Sequence, residues 1–187
     1  MDAWVWVVLI VVVVLVVAAL VWALTQRRRT SQLREGFGPE YERTVRESGS
    51  QREAEAELAE RKERREELEI RSLEPAARER YVTEWRALQA QFVDEPVDAV
   101  ANADRLVTEV MSERGYPMDD FDRQAELVSV DHPHVVQEYR EGHAIHSAYD
   151  SGEASTEDLR QAMVHYRALF SELLETDDRR DGIEEVH

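Results

Sequence analysis

The sequence predicts an all-α protein in three parts: an N-terminal single transmembrane helix, a charged helical stalk, and a C-terminal antiparallel helical bundle of about four long helices. Three observations predict it. Residues Trp4 to Leu24 form an apolar run of 21 residues without a single charge. The stretch from Gln51 to Ser72 is almost wholly charged, with opposite signs set four residues apart. From Pro75 onward, aromatic and aliphatic residues recur at spacings of three and four, in blocks bounded by proline and glycine. The segments expected are 1–29 as anchor and basic flank, 30–74 as juxtamembrane helix and stalk, 75–175 as the bundle, and 176–187 as a disordered tail.

At the rise of an α-helix the 21-residue run spans roughly 31 Å, close to the hydrocarbon thickness of a bilayer. Trp4 and Trp6 at one end and Trp22 at the other sit where indole rings prefer the two interfaces. A cleavable signal peptide is disfavoured, because the chain opens Met-Asp-Ala without a basic residue and the apolar run is longer than such peptides carry. Arg27, Arg28, Arg29 and Arg34 follow the run instead. By the positive-inside rule the N-terminus faces outward and the C-terminal domain is cytoplasmic. The lipid bilayer is therefore the first expected partner, through residues 4–24. The pair Ala19 and Ala23 offers a small-residue face, of a kind more often turned to lipid than to a second helix.

Beyond the arginines, Gly38-Pro39 reads as a stop followed by a helix start, so a break is expected between Thr30 and Pro39, then a short helix from Pro39 to Ser48 closed by Gly49. Ser50 and Glu53 match a capping box that opens a helix from Gln51 to Ser72. Glu57 with Arg61, Glu60 with Arg64 and Glu67 with Arg71 have the favourable spacing for intrahelical ion pairs. Taken as a coiled-coil seam, Ala54, Leu58, Arg61, Arg65, Leu68 and Ser72 include two arginines and a serine. A solvated stalk is the expectation rather than a self-associating coil.

The first bundle helix, Pro75 to Phe92, lines up Tyr81, Trp85, Leu88 and Phe92. The second starts at Pro96 and ends near Gly115, with Val97, Val100, Val107 and Met111 on one stripe beside Leu106 and Val110. A short helix around Asp120 to Leu127 connects it to a third long helix, which opens at Asp131-His132-Pro133 and carries Val135, Val136, Tyr139, His143, His146 and Tyr149. Gly142 interrupts the middle of that helix. The fourth starts at Ser155 or Thr156 and presents Leu159, Met163, Tyr166, Phe170 and Leu173.

Charge narrows the partners. The chain has 40 acidic and 23 basic residues, and the first 29 residues hold one aspartate and three arginines, so the remainder carries -19. Such a field repels phosphate backbones, and no nucleic acid partner is expected. The absence of cysteine removes thiolate catalysis and thiolate zinc sites. No phosphate-binding loop, nucleophile elbow or dinucleotide fingerprint occurs. Neither an enzyme nor a bound cofactor is expected.

One cluster raises a site hypothesis. Five of the six histidines lie between His132 and His165. His143 and His146 are one helical turn apart and could ligate one metal, with His165 from a facing helix or Glu141 completing the shell. The pattern departs from known helical metal motifs, since Glu-x-x-His occurs only at Glu184 to His187 and His-Glu-x-x-His is absent. The plainer expectation places His143 on the core stripe beside Tyr139, satisfied by a tyrosine or carboxylate. A third places the histidines in a pH-responsive cluster. Asp119, Asp120 and Asp122 read as the capping acids of a helix start rather than a calcium loop.

The stretches LVTEVMSERGYPMDDF, LVSVDHPHVVQEYREGH and STEDLRQAMVHYRALFSELLE, together with FGPEYERTV and ELEIRSL, cover most of the chain from Leu33 to Glu175. Here the sequence resembles a family of uncharacterised bacterial membrane proteins from GC-rich genomes, some of them labelled secreted. The resemblance implies a membrane-anchored helical protein and carries no activity onto particular residues. The function expected is a non-enzymatic interaction or structural module at the membrane, bound to a protein partner or to a second copy of itself.

Overall fold

A computed structural model describes residues 3–150 and 155–184, and every regular element among them is an α-helix. They fall into two compact units, Met1–Leu58 and Ala59–His187.

In the first unit, α1 (Ala3–Phe37) runs unbroken through the apolar segment and past the arginines. The break expected between Thr30 and Pro39 falls at Gly38, and the helix persists up to it because Leu33 and Phe37 are buried, and continuing the helix is what turns them inward. Gly36 does not interrupt it, and a side chain there would meet nothing within 4 Å. The chain turns at Gly38, and Pro39 opens α2 (Pro39–Ser48). Gly49 ends α2 in the left-handed region, its N–H bonded to the Val45 carbonyl at 3.2 Å. Ser50 then caps α3 (Gln51–Glu66), its hydroxyl accepting from the Glu53 amide at 3.5 Å. Tyr41, Thr44, Ala54 and Leu58 are buried with Leu33 and Phe37. The start of α3 is therefore packed, which corrects the expectation of a solvated stalk. By contrast, Ile10 to Leu24 lie open along α1.

In the second unit, Arg61, Arg64 and Arg65 of α3 all reach across to one other helix: Arg61 and Arg64 to Glu126 at 3.9 and 3.1 Å, and Arg65 to Asp131. Tyr116 donates to the same Asp131 at 2.6 Å. Helix α3 stops at Glu66, short of the expected Ser72, because the backbone beyond has better partners elsewhere. The Arg71 amide donates to the Arg114 carbonyl at 2.9 Å, and its Nε donates to the Glu113 carbonyl at 2.9 Å. Two carbonyls left open at the end of a helix are thereby satisfied. That helix is α5 (Pro96–Arg114), preceded by α4 (Pro75–Gln91).

Helix α6 (Phe121–Asp131) is capped by Asp120, which accepts from the Arg123 amide at 3.2 Å. His132 closes α6, its N–H bonded to the Val128 carbonyl at 2.8 Å, rather than opening the next helix. Helix α7 (Val136–Asp150) starts later than expected and passes through Gly142 unbroken. Helix α8 (Thr156–Glu184) opens with a reciprocal cap between Ser155 and Asp158. It continues to Glu184 where a disordered tail was expected: no proline intervenes, and extending a nucleated helix costs little per residue. Residues 185–187 of that tail lie outside the described residues.

The core forms where α8 packs on α5 and α7, α4 on α5, and α6 on α7. Trp85 stacks on Phe170 with ring centroids 4.7 Å apart, and Val107, Met111, Leu159, Tyr166, Leu169 and Leu173 are buried. Gly142 marks a close approach of two helices. A side chain there would sit 3.3 Å from the Tyr166 ring and 3.4 Å from His165 Cβ. Arg114 is the largest fully buried residue, and its guanidinium donates to the Leu173 carbonyl at the last packed turns of α8.

Candidate functional site

Helix α5 carries Asp104 into the centre of the histidine-bearing region. Tyr166 of α8 donates to Asp104 Oδ1 at 2.8 Å, and His143 Nδ1 of α7 lies 3.5 Å from the same oxygen. The Phe121 ring, at the start of α6, stacks on the His143 imidazole with centroids 3.7 Å apart and leans on Tyr139 at 4.9 Å. Tyr139 donates to Gln124 at 3.2 Å. Burial alone would raise the Asp104 carboxyl, but the bonds from His143 and Tyr166 and the nearby charges of His143 and His146 outweigh it and hold the group below the usual carboxylate range. Tyr166 is pushed far up, first by burial and then by the Asp104 charge, and Tyr139 likewise. The arrangement holds an anion within the helices and keeps both phenols protonated.

A second group lies on another flank of α7. His165 of α8 is nine-tenths buried, with Nδ1 2.5 Å from Glu138 Oε2 and Nε2 3.6 Å from Glu141 Oε2. Glu138, Glu141 and His165 each offer a ligand atom, all within 4.8 Å of one another. Among the described residues this is the grouping with metal-ligand geometry, and it contains neither His143 nor His146. The helical wheel explains the division. His143 and His146 sit near Tyr139, whereas Glu138 and Glu141 lie roughly 100° or more around the axis, so one α8 residue meets only one pair. Of the three predicted ligands, His143 thus goes to Asp104, His165 goes to the glutamates, and His146 contributes charge near Asp104. Glu141, named as a completing ligand, does stand beside His165.

His132 forms a third environment. It is buried, with Nδ1 3.4 Å from Glu172. Burial, and then the Arg114 charge, lower its pKa against the opposing pull of Asp131 and Glu172. Sequence reasoning missed Asp104 and Arg114. Asp104 is one of 40 acids, but it stands between Val100 and Val107 on a helix that is otherwise apolar on that side, which was the available signal. Arg114 directly precedes the capping glycine, where a cation usually serves the helix dipole at the surface.

No family model, curated protein or solved structure matches this chain.

Proposed function

We propose that the chain is a single-span membrane protein with its N-terminus outside and its helical domain in the cytoplasm, serving as a non-enzymatic interaction or structural module. The observation that carries the anchor is that α1 is long and apolar enough to cross a membrane, with its apolar stretch from Ile10 to Leu24 exposed along its whole length. Water is a poor solvent for that surface and lipid a good one. The trailing arginines support the orientation. In this reading α4, α5, α7 and α8 work as an antiparallel bundle, with α6 bridging α5 and α7. The inward acids and histidines are engaged with one another, which leaves the acidic outer faces to meet a basic partner.

The test is a fusion of a cytoplasm-dependent reporter after His187, combined with affinity purification of the full chain from detergent-solubilised membranes. An active reporter and a co-purifying protein or second copy are expected. An inactive reporter would overturn the orientation, and recovery as a lone monomer would overturn the interaction role.

A second reading is metal binding, favoured by the convergence of Glu138, Glu141 and His165. In this reading the Nδ1–H bond to Glu138 orients the ring and Nε2 binds the ion beside Glu141, a carboxylate–histidine–metal relay. Zinc is then expected to raise the melting temperature of the full chain by several degrees, with His165→Ala abolishing the rise. No response to zinc, nickel or iron would end this reading.

A further inference from the structure

The first unit contains an open cleft of about 590 Å³ lined by Trp22, Gln26, Arg29 and Thr30 of α1 and by Gln51, Arg52, Glu55 and Ala56 of α3. Its floor is Glu55. That carboxylate is buried and accepts from Thr30 and Gln51 at 2.8 Å, Tyr41 at 3.0 Å and Gln26 at 3.3 Å. Burial opposes its ionisation, but these bonds and the Arg29 charge hold it below its ordinary range. With its lone pairs filled from both helices, Glu55 serves to fix the cleft walls.

The rim is different in character. Arg34 is paired with Glu42, and Arg43 with Glu40 and Glu47. Arg29 and Arg52 form no ion pair among the described residues, and both line the cleft. Gln51 and Arg52 are the first two residues of α3, the positive end of that helix's dipole. Guanidinium groups with unused donors are suited to phosphate, which they bind through paired N–H groups.

Depth supplies the second constraint. Trp22 belongs to the apolar run and is exposed, and Arg29 follows it by seven residues, roughly 10 Å along the helix. If α1 crosses the bilayer, the cleft begins at the edge of the hydrocarbon and ends among the headgroups. The negative charge of the remaining chain does not remove this local attraction, since charges are screened beyond about 8 to 10 Å at cellular ionic strength.

We infer that the cleft binds the phosphate headgroup of an anionic phospholipid, with Arg29 and Arg52 on the phosphate, Trp22 against the upper acyl chain and α3 locked in place by Glu55. The inference rests on the anchor proposed above.

The test uses the full chain in phosphatidylcholine nanodiscs containing a minor fraction of phosphatidylglycerol, with retained lipid counted by native mass spectrometry. The wild type is expected to retain phosphatidylglycerol in preference to phosphatidylcholine. The double variant Arg29→Gln, Arg52→Gln should lose about tenfold or more in retention, as two phosphate-facing arginines warrant. Arg27→Gln with Arg28→Gln removes the same charge at the same depth outside the cleft and should lose far less. Equal loss in both pairs, or no preference in the wild type, would overturn the site. Displacement of the lipid by inorganic phosphate would assign the cleft to a soluble anion and overturn the lipid assignment. Carbonate-washed membranes separate the two readings: all variants should stay in the pellet, whereas a wild-type chain in the supernatant would overturn the anchor and the site with it.

Discussion

Gly115→Ala is expected to destabilise the second unit by about 3 kcal/mol, more than an ordinary surface change. Gly115 caps α5 at φ +99°, which costs any L side chain strain. The added methyl would also stand 2.7 Å from the Glu69 carbonyl oxygen, an impossible contact. That oxygen belongs to the extended segment tied to α5 by the Arg71 amide, so it cannot retreat without breaking that bond. Denaturant titration of the full chain, followed by near-ultraviolet dichroism of the core aromatics, reads the effect. Gly36→Ala provides the contrast, since its methyl meets nothing and alanine favours helix; it should be neutral or slightly stabilising. A neutral Gly115→Ala would mean that the 69–74 segment does not lie against α5 in solution.

Arg114→Ala should cost about 3 kcal/mol, through a cavity and a Leu173 carbonyl left without its charged donor. Arg114→Met keeps most of the volume and should cost distinctly less. The same substitution has a spectroscopic consequence. The Arg114 charge helps burial to depress His132, against the opposing pull of Asp131 and Glu172. Removing it should move the His132 titration upward toward its ordinary value. In the wild type the unfolded chain binds a proton at His132 that the folded chain refuses. This contribution to stability is present above about pH 6.5 and is lost as pH falls through the depressed folded value. The loss should be shallower in Arg114→Met, and an unchanged His132 titration by NMR would refute the coupling.

Where punctuation was local, the sequence was readable. Pro39, Pro75 and Pro96 open helices, and Gly49 and Gly115 close them, because each acts through its own backbone. The apolar stripes of α4, α5 and α8 likewise become core. What escaped was decided by distant partners. Nothing in the composition of 67–72 forbids helix, and the segment leaves α3 because the Arg71 amide finds the end of α5 forty-three residues later. The continuation of α1 depends on burying Leu33 and Phe37, which no window around Gly36 reveals. The histidines divided for a related reason. Spacing along α7 showed that His143 and His146 share a face, but which face meets His165 depends on the rotation of α7 against α8.

The unbroken α1 also has a mechanical consequence. Thirteen residues of rigid rod extend from Leu24 to Phe37, roughly 20 Å beyond the apolar run. If α1 crosses a bilayer, as proposed above, no hinge stands at the membrane edge and the rod would work as a lever. A change of about 20° in the tilt of the span, as a thinner bilayer would impose, would sweep its far end sideways by roughly 7 Å. For the first unit, bilayer thickness would then become a displacement that proteins at the surface can feel.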